Sequence, residues 1–193
     1  MMTPLGAVSA ISTAFPFRKK VESEPGGDVA VIQIRDIGST AGGPTDSAPV
    51  VLNDDGRYDR YLLQPGDLLF QSRGTRFPTT VVPAGLRGIA SSGVHVVRPE
   101  RRQVLPEYLS WWINLPASQE RLATDIARGS YVPFVAKKDL ETFMVPVPPL
   151  EMQSRIVAAA ALRRRELELQ KRLDTMTQKL VDAVTVAAAT RDY

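Results

Sequence analysis

The sequence contains no cysteine and a single histidine, His95, among its 193 residues. The absence of cysteine excludes disulfide bonds, a thiol nucleophile and cysteine-ligated zinc. One imidazole cannot form a metal site by itself, and His95 lies in the apolar run 94–97 (VHVV). We therefore expect His95 to be a half-exposed structural residue.

Long apolar stretches are also missing. No uninterrupted run reaches the roughly 18 residues that a membrane-spanning helix needs. The N-terminus lacks the charged start and apolar core of a signal peptide. We therefore expect a cytoplasmic protein without a membrane partner.

Catalytic motifs with the right spacing are absent from the sequence. The commonest restriction-nuclease signature needs Pro-Asp followed by Glu-x-Lys, and no Pro-Asp pair occurs. Amino-methyltransferases carry Asn or Asp, two prolines and an aromatic residue, whereas residues 147–150 read VPPL. Glycine-rich phosphate loops are missing as well. We therefore predict a non-catalytic chain that binds no metal and no cofactor of its own.

Proline and glycine stop abruptly near residue 150. The chain has 15 prolines and 13 glycines, and none of them follows Leu150. Such a shift marks the passage from a globular domain to a long helix. We predict an α+β fold with a compact, mixed or mostly β domain over residues 1–150 and a long helix within residues 151–193.

Short apolar runs bounded by turn residues predict the strands of the first part. The predicted strands are 29–34, 68–72, 79–82, 94–98 and 142–147. Pro106 and Pro116 can each occupy the first position of a helix, and we predict helices over 106–114 and 116–128. Their spacing places Trp111 and Trp112 in core packing rather than in base stacking.

The C-terminal segment repeats apolar residues with a mean spacing of 3.5 residues. Free of breakers from Met152 to Ala189, it would extend about 55 Å at 1.5 Å per residue. A helix of this length needs a partner for its apolar stripe, so we favour a coiled coil over a helix folded back on its own domain. The residues expected to mediate this pairing are Leu162, Leu169, Leu173, Met176 and Leu180.

Basic residues are concentrated in one stretch of the first part. Residues 68–103 contain six arginines, no lysine and one acidic residue, Glu100. Arginine presents a planar fork of donors that suits phosphate oxygens and guanine edges. The net charge is only +3, so the local pattern rather than the total indicates nucleic acid. A basic solvated face is the alternative interpretation.

Three sequence pieces occur in one order along the chain. They are 65–70 (PGDLLF) followed by 73–75 (RGT), 129–133 (GSYVP) followed by 138–140 (KDL), and 145–150 (VPVPPL) followed by Gln153 and Ile156. Together they resemble the target-recognition domain and adjoining conserved helix of type I restriction-modification specificity subunits, over about residues 29–180. The sequence departs from that family at Met152, where glutamate is frequent, and in having one recognition domain and one helix instead of two.

The resemblance implies a division of labour between subunits. The recognition domain would read one half of a split site in double-stranded DNA, and the helix would act as a spacer and as a docking surface for modification subunits. Those subunits would bind S-adenosylmethionine and methylate adenine, with or without a restriction subunit. We expect a natural half-length subunit rather than a fragment. As a homodimer paired through the helix, it would read an inverted repeat with a fixed gap.

The candidate DNA contacts centre on the loop 71–76 (QSRGTR), which follows a predicted strand. Its side chains can bond base edges or phosphates. The cluster 18–20 and Arg87 could contact the DNA backbone, although a solvated loop is the alternative for the cluster. The predicted contacts are Gln71, Ser72, Arg73, Thr75, Arg76, Arg87, Arg18, Lys19 and Lys20. By contrast, we interpret Gly129, Ser130, Lys137 and Lys138 as structural.

Two other functions stay open at this point, and a third, a stand-alone enzyme, has no catalytic motif in the sequence to support it. A stand-alone DNA-binding regulator would bind DNA tightly without a modification subunit. A coiled-coil adaptor would use the helix for protein partners and would not bind DNA. The arginine-rich stretch argues against the adaptor, because it indicates binding to nucleic acid.

Overall fold

The computed structural model describes residues 2–17, 22–37, 50–53, 56–129 and 131–190. The chain divides into two compact units, Met1–Ser154 and Arg155–Tyr193. Among the described residues, the first unit contains nine strands, four short helices and the start of a fifth helix. That fifth helix continues through the second unit.

The elements have the following bounds. The strands are β1 Met2–Pro4, β2 Ser9–Thr13, β3 Val29–Ile32, β4 Val50–Leu52, β5 Leu68–Gln71, β6 Thr79–Val81, β7 Gly88–Ala90, β8 Val94–Pro99 and β9 Met144–Pro146. The helices are α1 Leu5–Val8, α2 Pro106–Asn114, α3 Pro116–Arg121, α4 Lys137–Glu141 and α5 Leu150–Ala189.

A four-stranded antiparallel sheet in the order β2-β8-β5-β6 organises the first unit. Its edge strand β6 is covered by a side chain of α2. The Asn114 Oδ1 atom accepts a hydrogen bond from the Thr79 backbone N–H at 2.9 Å, and its Nδ2 atom donates to the Thr79 carbonyl at 3.0 Å. The amide of Asn114 therefore satisfies backbone groups that an edge strand leaves unpaired.

A second sheet, in the order β4-β3-β7, packs against the first. All four residues of β3 are buried, as expected for a strand covered on both faces. Ala30 and Ile32 share a core with Leu69 and Val96 of the four-stranded sheet. The opposite face of the sheet is packed by a cluster centred on Tyr58.

The turn 64–67 is stabilised by a buried carboxylate. Gly66 has a φ of +85°, which an L side chain rarely adopts. Asp67 is only 1% exposed; its Oδ2 atom accepts from the Gln64 N–H at 2.8 Å. Arg98 donates to both carboxylate oxygens at 2.7 Å. One of the three pieces that carry the family resemblance is thus a structural turn before β5.

The start of α5 is anchored by a buried glutamine. Gln153 is fully buried, and its Oε1 atom accepts from the Leu105 N–H at 2.8 Å. Its Nε2 atom donates to the carbonyls of Gln103 at 2.9 Å and Pro148 at 2.7 Å. One side chain therefore joins the helix start to the segment that precedes α2.

The predicted α+β class is confirmed, and the differences from the sequence prediction are local. The strand predicted over 29–34 ends at Ile32, because Ile34–Asp36 forms a 3-10 turn in which the Asp36 carboxylate accepts from the Gln33 N–H. The helix predicted over 116–128 is α-helical only as far as Arg121, and the chain then forms a π-helical turn over Leu122–Ile126.

The last predicted strand, the two tryptophans and the absence of a membrane span can each be compared with the structure. The strand predicted over 142–147 is β9, which pairs with β1 in a two-stranded sheet. Trp111 and Trp112 are half-buried; their rings contact one another, and the ring of Trp111 also contacts that of Tyr108. Within the described residues, no helix combines the length and the apolar character that a membrane span requires.

Candidate nucleic-acid interface

The loop 71–76 leaves β5 with its shape set by one side chain. The Gln71 Nε2 atom donates to the Arg73 carbonyl at 2.8 Å and to the Arg76 carbonyl at 3.3 Å. Gly74, at a φ of +122°, makes the bend between them. The amide donor of Gln71 therefore orders the loop.

A second loop, 128–134, follows the π-helical turn and closes on itself. The backbone groups of Arg128 and Phe134 exchange two hydrogen bonds, each of 2.8 Å. Between them the Tyr131 side chain is 96% exposed and Val132 is 49% exposed. An aromatic ring this exposed is uncommon because it forgoes the burial that favours aromatic residues in a core.

Backbone hydrogen bonds join the two loops directly. The Gly74 N–H donates to the Pro133 carbonyl at 2.9 Å, and the Val135 N–H donates to the Ser72 carbonyl at 2.9 Å. Arg73 and Phe134 form a β-bridge. We call the two segments, 71–76 and 128–134, the loop pair; Ser130 within it lies outside the described residues.

The exposed surface of the loop pair combines cations with an aromatic ring. Arg73, Thr75 and Arg76 are exposed, and within the described residues neither of these two arginines has an ion-pair partner. Arg128 differs, because its guanidinium donates to both carboxylate oxygens of Asp139 at 2.9 Å. Arginines without ion-pair partners can bond phosphates, and an exposed aromatic ring can stack on bases.

His95 contacts the backbone directly after the second loop. Its Nε2 atom lies 2.9 Å from the Val135 carbonyl oxygen, and since a carbonyl only accepts, Nε2 carries the hydrogen. The ring lies parallel to that of Phe70, with centroids 6.3 Å apart. Burial lowers the pKa of His95 from its ordinary 6.5, partly opposed by the hydrogen bond to Val135, and Lys137 lowers it further. His95 is therefore a neutral structural residue, as its position in the sequence indicates.

Five of the nine predicted contacts lie in the first loop, but they do not play one role. Ser72 is only 5% exposed, and its backbone bonds to Gly93 and Val135; its contact with DNA stays a prediction. The donor atom of Gln71 is likewise used inside the loop. The exposed members are Arg73, Thr75 and Arg76.

The other four predicted contacts are not part of the loop pair. Arg87 precedes β7 of the three-stranded sheet, and its Nε atom lies 3.4 Å from the Asp28 carboxylate. The cluster Arg18, Lys19 and Lys20 lies outside the described residues.

Sequence reasoning missed the second loop as a surface. The sequence prediction treats Gly129 and Ser130 as a helix stop, but the helical segment ends at Ile126, so Gly129, whose φ is +95°, belongs to the second loop. The signal that could have identified the surface is Tyr131, an aromatic residue between a glycine and a proline that belongs to no helical or strand period.

The second unit presents its own surface, formed by α5. The apolar side chains predicted to pair are exposed: Leu162 72%, Leu169 45%, Leu173 63%, Met176 66% and Leu180 65%. Glu166 interrupts this row and bonds to Arg163 at 2.7 Å. A row of exposed apolar residues at coiled-coil spacing is suited to helix pairing.

The described residues contain no group of three or more His, Cys, Asp and Glu side chains that could bind a metal ion.

Solved structures share the fold of this chain. A chain from work on complex assembly and conformational transition of the type I restriction-modification system matches with a TM-score of 0.73 and 22% identity, over 95% of this chain and 43% of that chain. The HsdS subunit from Thermoanaerobacter tengcongensis matches with a TM-score of 0.70 and 24% identity, over 95% and 47%. The S subunit from M. genitalium matches with a TM-score of 0.59 and 13% identity, over 95% and 44%.

The chain thus spans less than half the length of each of these three solved chains. Among proteins with curated functions, none matches it in sequence. The family model for the type I restriction modification DNA specificity domain matches residues 2–170, which is most of the chain. The chain therefore belongs to the family of type I restriction-modification DNA specificity domains.

Proposed function

We propose that this chain recognises a DNA sequence as the specificity component of a type I restriction-modification complex and carries out no chemistry itself. The observation that carries the proposal is the loop pair, in which backbone hydrogen bonds join the loop of the exposed Arg73 and Arg76 to the loop of the exposed Tyr131 ring, and neither arginine has an ion-pair partner among the described residues. Membership of the family supports the same function.

The loop pair suits recognition because its backbone is ordered by internal bonds. Gln71 sets the first loop, and two hydrogen bonds join it to the chain around Pro133. A surface ordered in advance loses less entropy when it binds. Arginine forks can then bond guanine edges or phosphates, while Thr75 can bond either.

The Tyr131 ring adds an apolar contact to this polar surface. A tyrosine side chain can lie against sugars and bases in a groove or stack on an unpaired base. Because Tyr131 lies on a loop and its side chain is not packed in the core, the ring can contact DNA without disturbing the sheets. We therefore assign Arg73, Thr75, Arg76 and Tyr131 to the DNA contact.

Catalysis and cofactor binding belong, in this proposal, to partner subunits. A modification subunit would supply S-adenosylmethionine and methylate adenine at the site that this chain selects. One of the similar solved chains comes from work on assembly of a type I complex, which supports such partners, with or without a restriction subunit.

The helix α5 would join two recognition domains. Its exposed apolar row, Leu162 to Leu180, would pair with the same row of a second copy. A symmetric pair places two identical readers on one duplex, so the target would be an inverted repeat with a gap set by the helices. An asymmetric target would contradict the homodimer.

The proposal is tested by co-expression with a modification subunit of the family. We expect the two to co-purify and to methylate adenine at one split sequence only when both are present. The triple variant Arg73→Ala, Arg76→Ala, Tyr131→Ala should still co-purify but lose the site-specific methylation.

Other outcomes identify the alternatives. Tight sequence-specific DNA binding by this chain alone would indicate a stand-alone regulator, provided that no methylation occurs when the chain or its triple variant is co-expressed with the modification subunit. Co-purification without any preference for a DNA sequence would indicate an adaptor. Full site-specific methylation by the triple variant would show that the loop pair is not the DNA contact.

A further inference from the structure

A cleft of about 340 Å³ lies in the first unit beside the edge strand β2. Its polar side chains come from four separate parts of the chain. They are Ser12 and Thr13 of β2, Arg60 of the 3-10 turn Asp59–Tyr61, Arg98 of β8 and Lys137 at the start of α4. Its apolar lining includes Ala90 and Val96.

The charge of the cleft is of one sign. Three of its lining residues are cationic, and among the described residues that line it none is acidic. Two hydroxyl groups add neutral donors on the edge strand. Such a set matches an anion with several oxygen atoms, which accepts hydrogen bonds from several directions.

The cations are ordered before any ligand binds. Asp67 bonds to Arg98 through two donor atoms at 2.7 Å. The Arg60 guanidinium lies over the Tyr61 ring, 4.8 Å from its centroid. Lys137 is half-buried, and its Nζ atom lies 3.6 Å from the Glu141 carboxylate.

Among the described residues, one positive charge of the cleft is left unbalanced. Asp67 offsets Arg98 and Glu141 offsets Lys137, while within the described residues Arg60 has no acidic partner. Three cations less two acids leave a charge of +1. A singly charged anion would therefore neutralise the cleft. Removing water from Arg60 costs less free energy when a bound anion pairs with its guanidinium than when Arg60 has no partner.

We propose that this cleft binds a phosphate group. The chain passes from the loop pair to the cleft within a few residues, since Val135 bonds to Ser72 and Lys137 begins α4. A phosphodiester of the DNA that the loop pair contacts can therefore supply the group, and a free phosphate-bearing molecule is the other source. The first source rests on the proposed function; the second does not.

The test uses the double variant Arg60→Ala, Lys137→Ala in the full chain. Arg102→Ala is the matched control, because Arg102 is an exposed arginine of the same unit that does not line the cleft. Arg60→Ala alone serves as a second variant, since Arg60 is exposed and its truncation leaves no buried group unpaired.

In the first arm, inorganic phosphate is titrated at constant ionic strength against chloride, and the backbone amide signals of Ser12 and Thr13 are followed by NMR. A free phosphate site predicts saturable shifts in the wild type and in Arg102→Ala, and at least a tenfold weaker response in the double variant.

In the second arm, duplex affinity is measured as a function of salt with a modification subunit present. Each phosphate contact contributes about 0.9 to the slope of log K against log salt. A DNA source predicts that the slope falls by about 1 in the double variant and is unchanged in Arg102→Ala.

The proposal is overturned if phosphate causes no saturable shift and the salt slope is the same in all variants. Should the wild type bind no duplex even with a modification subunit present, the proposed function fails while the phosphate titration still decides on the cleft. Should Arg73→Ala weaken DNA binding while the cleft variants behave as wild type in both arms, the function stands and the cleft proposal falls.

Discussion

At the scale of single residues, polar side chains have opposite roles according to burial. Asp67 and Gln153 are buried, and each makes at least three hydrogen bonds. Arg73 and Arg76 are exposed and, among the described residues, have no ion-pair partner. Buried polar groups without partners are costly, so the first pair stabilises the fold, whereas the second pair is available for a ligand.

His95 predicts a pH dependence of stability. Its pKa is lowered from 6.5 in the folded chain, so between the lowered value and about 6.5 the unfolded chain binds a proton that the folded chain does not. The free energy of unfolding should therefore fall as the pH decreases through this window, and His95 should contribute no change above it.

The contribution of His95 is measured by urea unfolding at pH 7.5 and pH 5.0. In His95→Gln, the amide can still donate to the Val135 carbonyl but does not titrate. The variant should lose less stability than the wild type over this pH range. An equal loss in both proteins would show that other groups, such as the carboxylates, account for it.

At the scale of elements, buried side chains connect parts of the chain that are distant in sequence. Gln153 joins the start of α5 to residues 103–105, and Asn114 covers the edge of β6. Each connection replaces backbone pairing that neighbouring elements do not supply. The start of α5 should therefore depend on Gln153.

Gln153→Leu keeps most of the side-chain volume and removes three hydrogen bonds. Because the Leu105 N–H and two carbonyls would lose their partner, we expect a loss of about 2–4 kcal/mol in the free energy of unfolding. Gln178→Leu is the control, because this exposed glutamine bonds only to Asp182 on the same helix. Chemical denaturation measures both, and similar small losses would contradict the anchoring role.

The apolar row of α5 predicts self-association. Leu173→Lys places a charge in the row, whereas Gln178→Lys places one away from it. Sedimentation should give twice the monomer mass of 21.2 kDa for the wild type and Gln178→Lys, and the monomer mass for Leu173→Lys. A wild-type chain that remains monomeric would contradict pairing through α5.

The sequence predicts elements well where their signal is local. The strand β8 and the helix α2 carry apolar patterns or a starting proline within their own residues, and both form close to the predicted bounds. The strands β1 and β9 pair although they are far apart in sequence, with Met2 opposite Pro146. No local pattern in the three residues of β1 indicates that partner.

The candidate site was predictable only in part for the same reason. Arg73 and Arg76 stand out because they occur in a polar loop after a strand. The second loop belongs to the site only because Gly74 bonds to Pro133, a contact set by the tertiary fold. Likewise, burial of Ser72 depends on neighbours that the sequence of the loop does not reveal.

At the scale of the whole molecule, we propose that the first unit recognises DNA and that the second unit mediates pairing. These assignments are separable, because the loop pair lies within Met1–Ser154 and the apolar row within Arg155–Tyr193. Variants in the row should therefore alter oligomeric state and target symmetry, while variants in the loop pair should alter the bases that are selected.

The central claim is that the loop pair selects the DNA sequence, and selection of bound duplexes from a randomised pool tests it most directly. The full chain, with a modification subunit present, should enrich one motif. Arg73→Ala should relax one position of that motif and weaken binding by about 1–3 kcal/mol, while Arg102→Ala should leave motif and affinity unchanged. Enrichment of no motif by the wild type, or of an identical motif with undiminished affinity by Arg73→Ala and Tyr131→Ala, would contradict the claim.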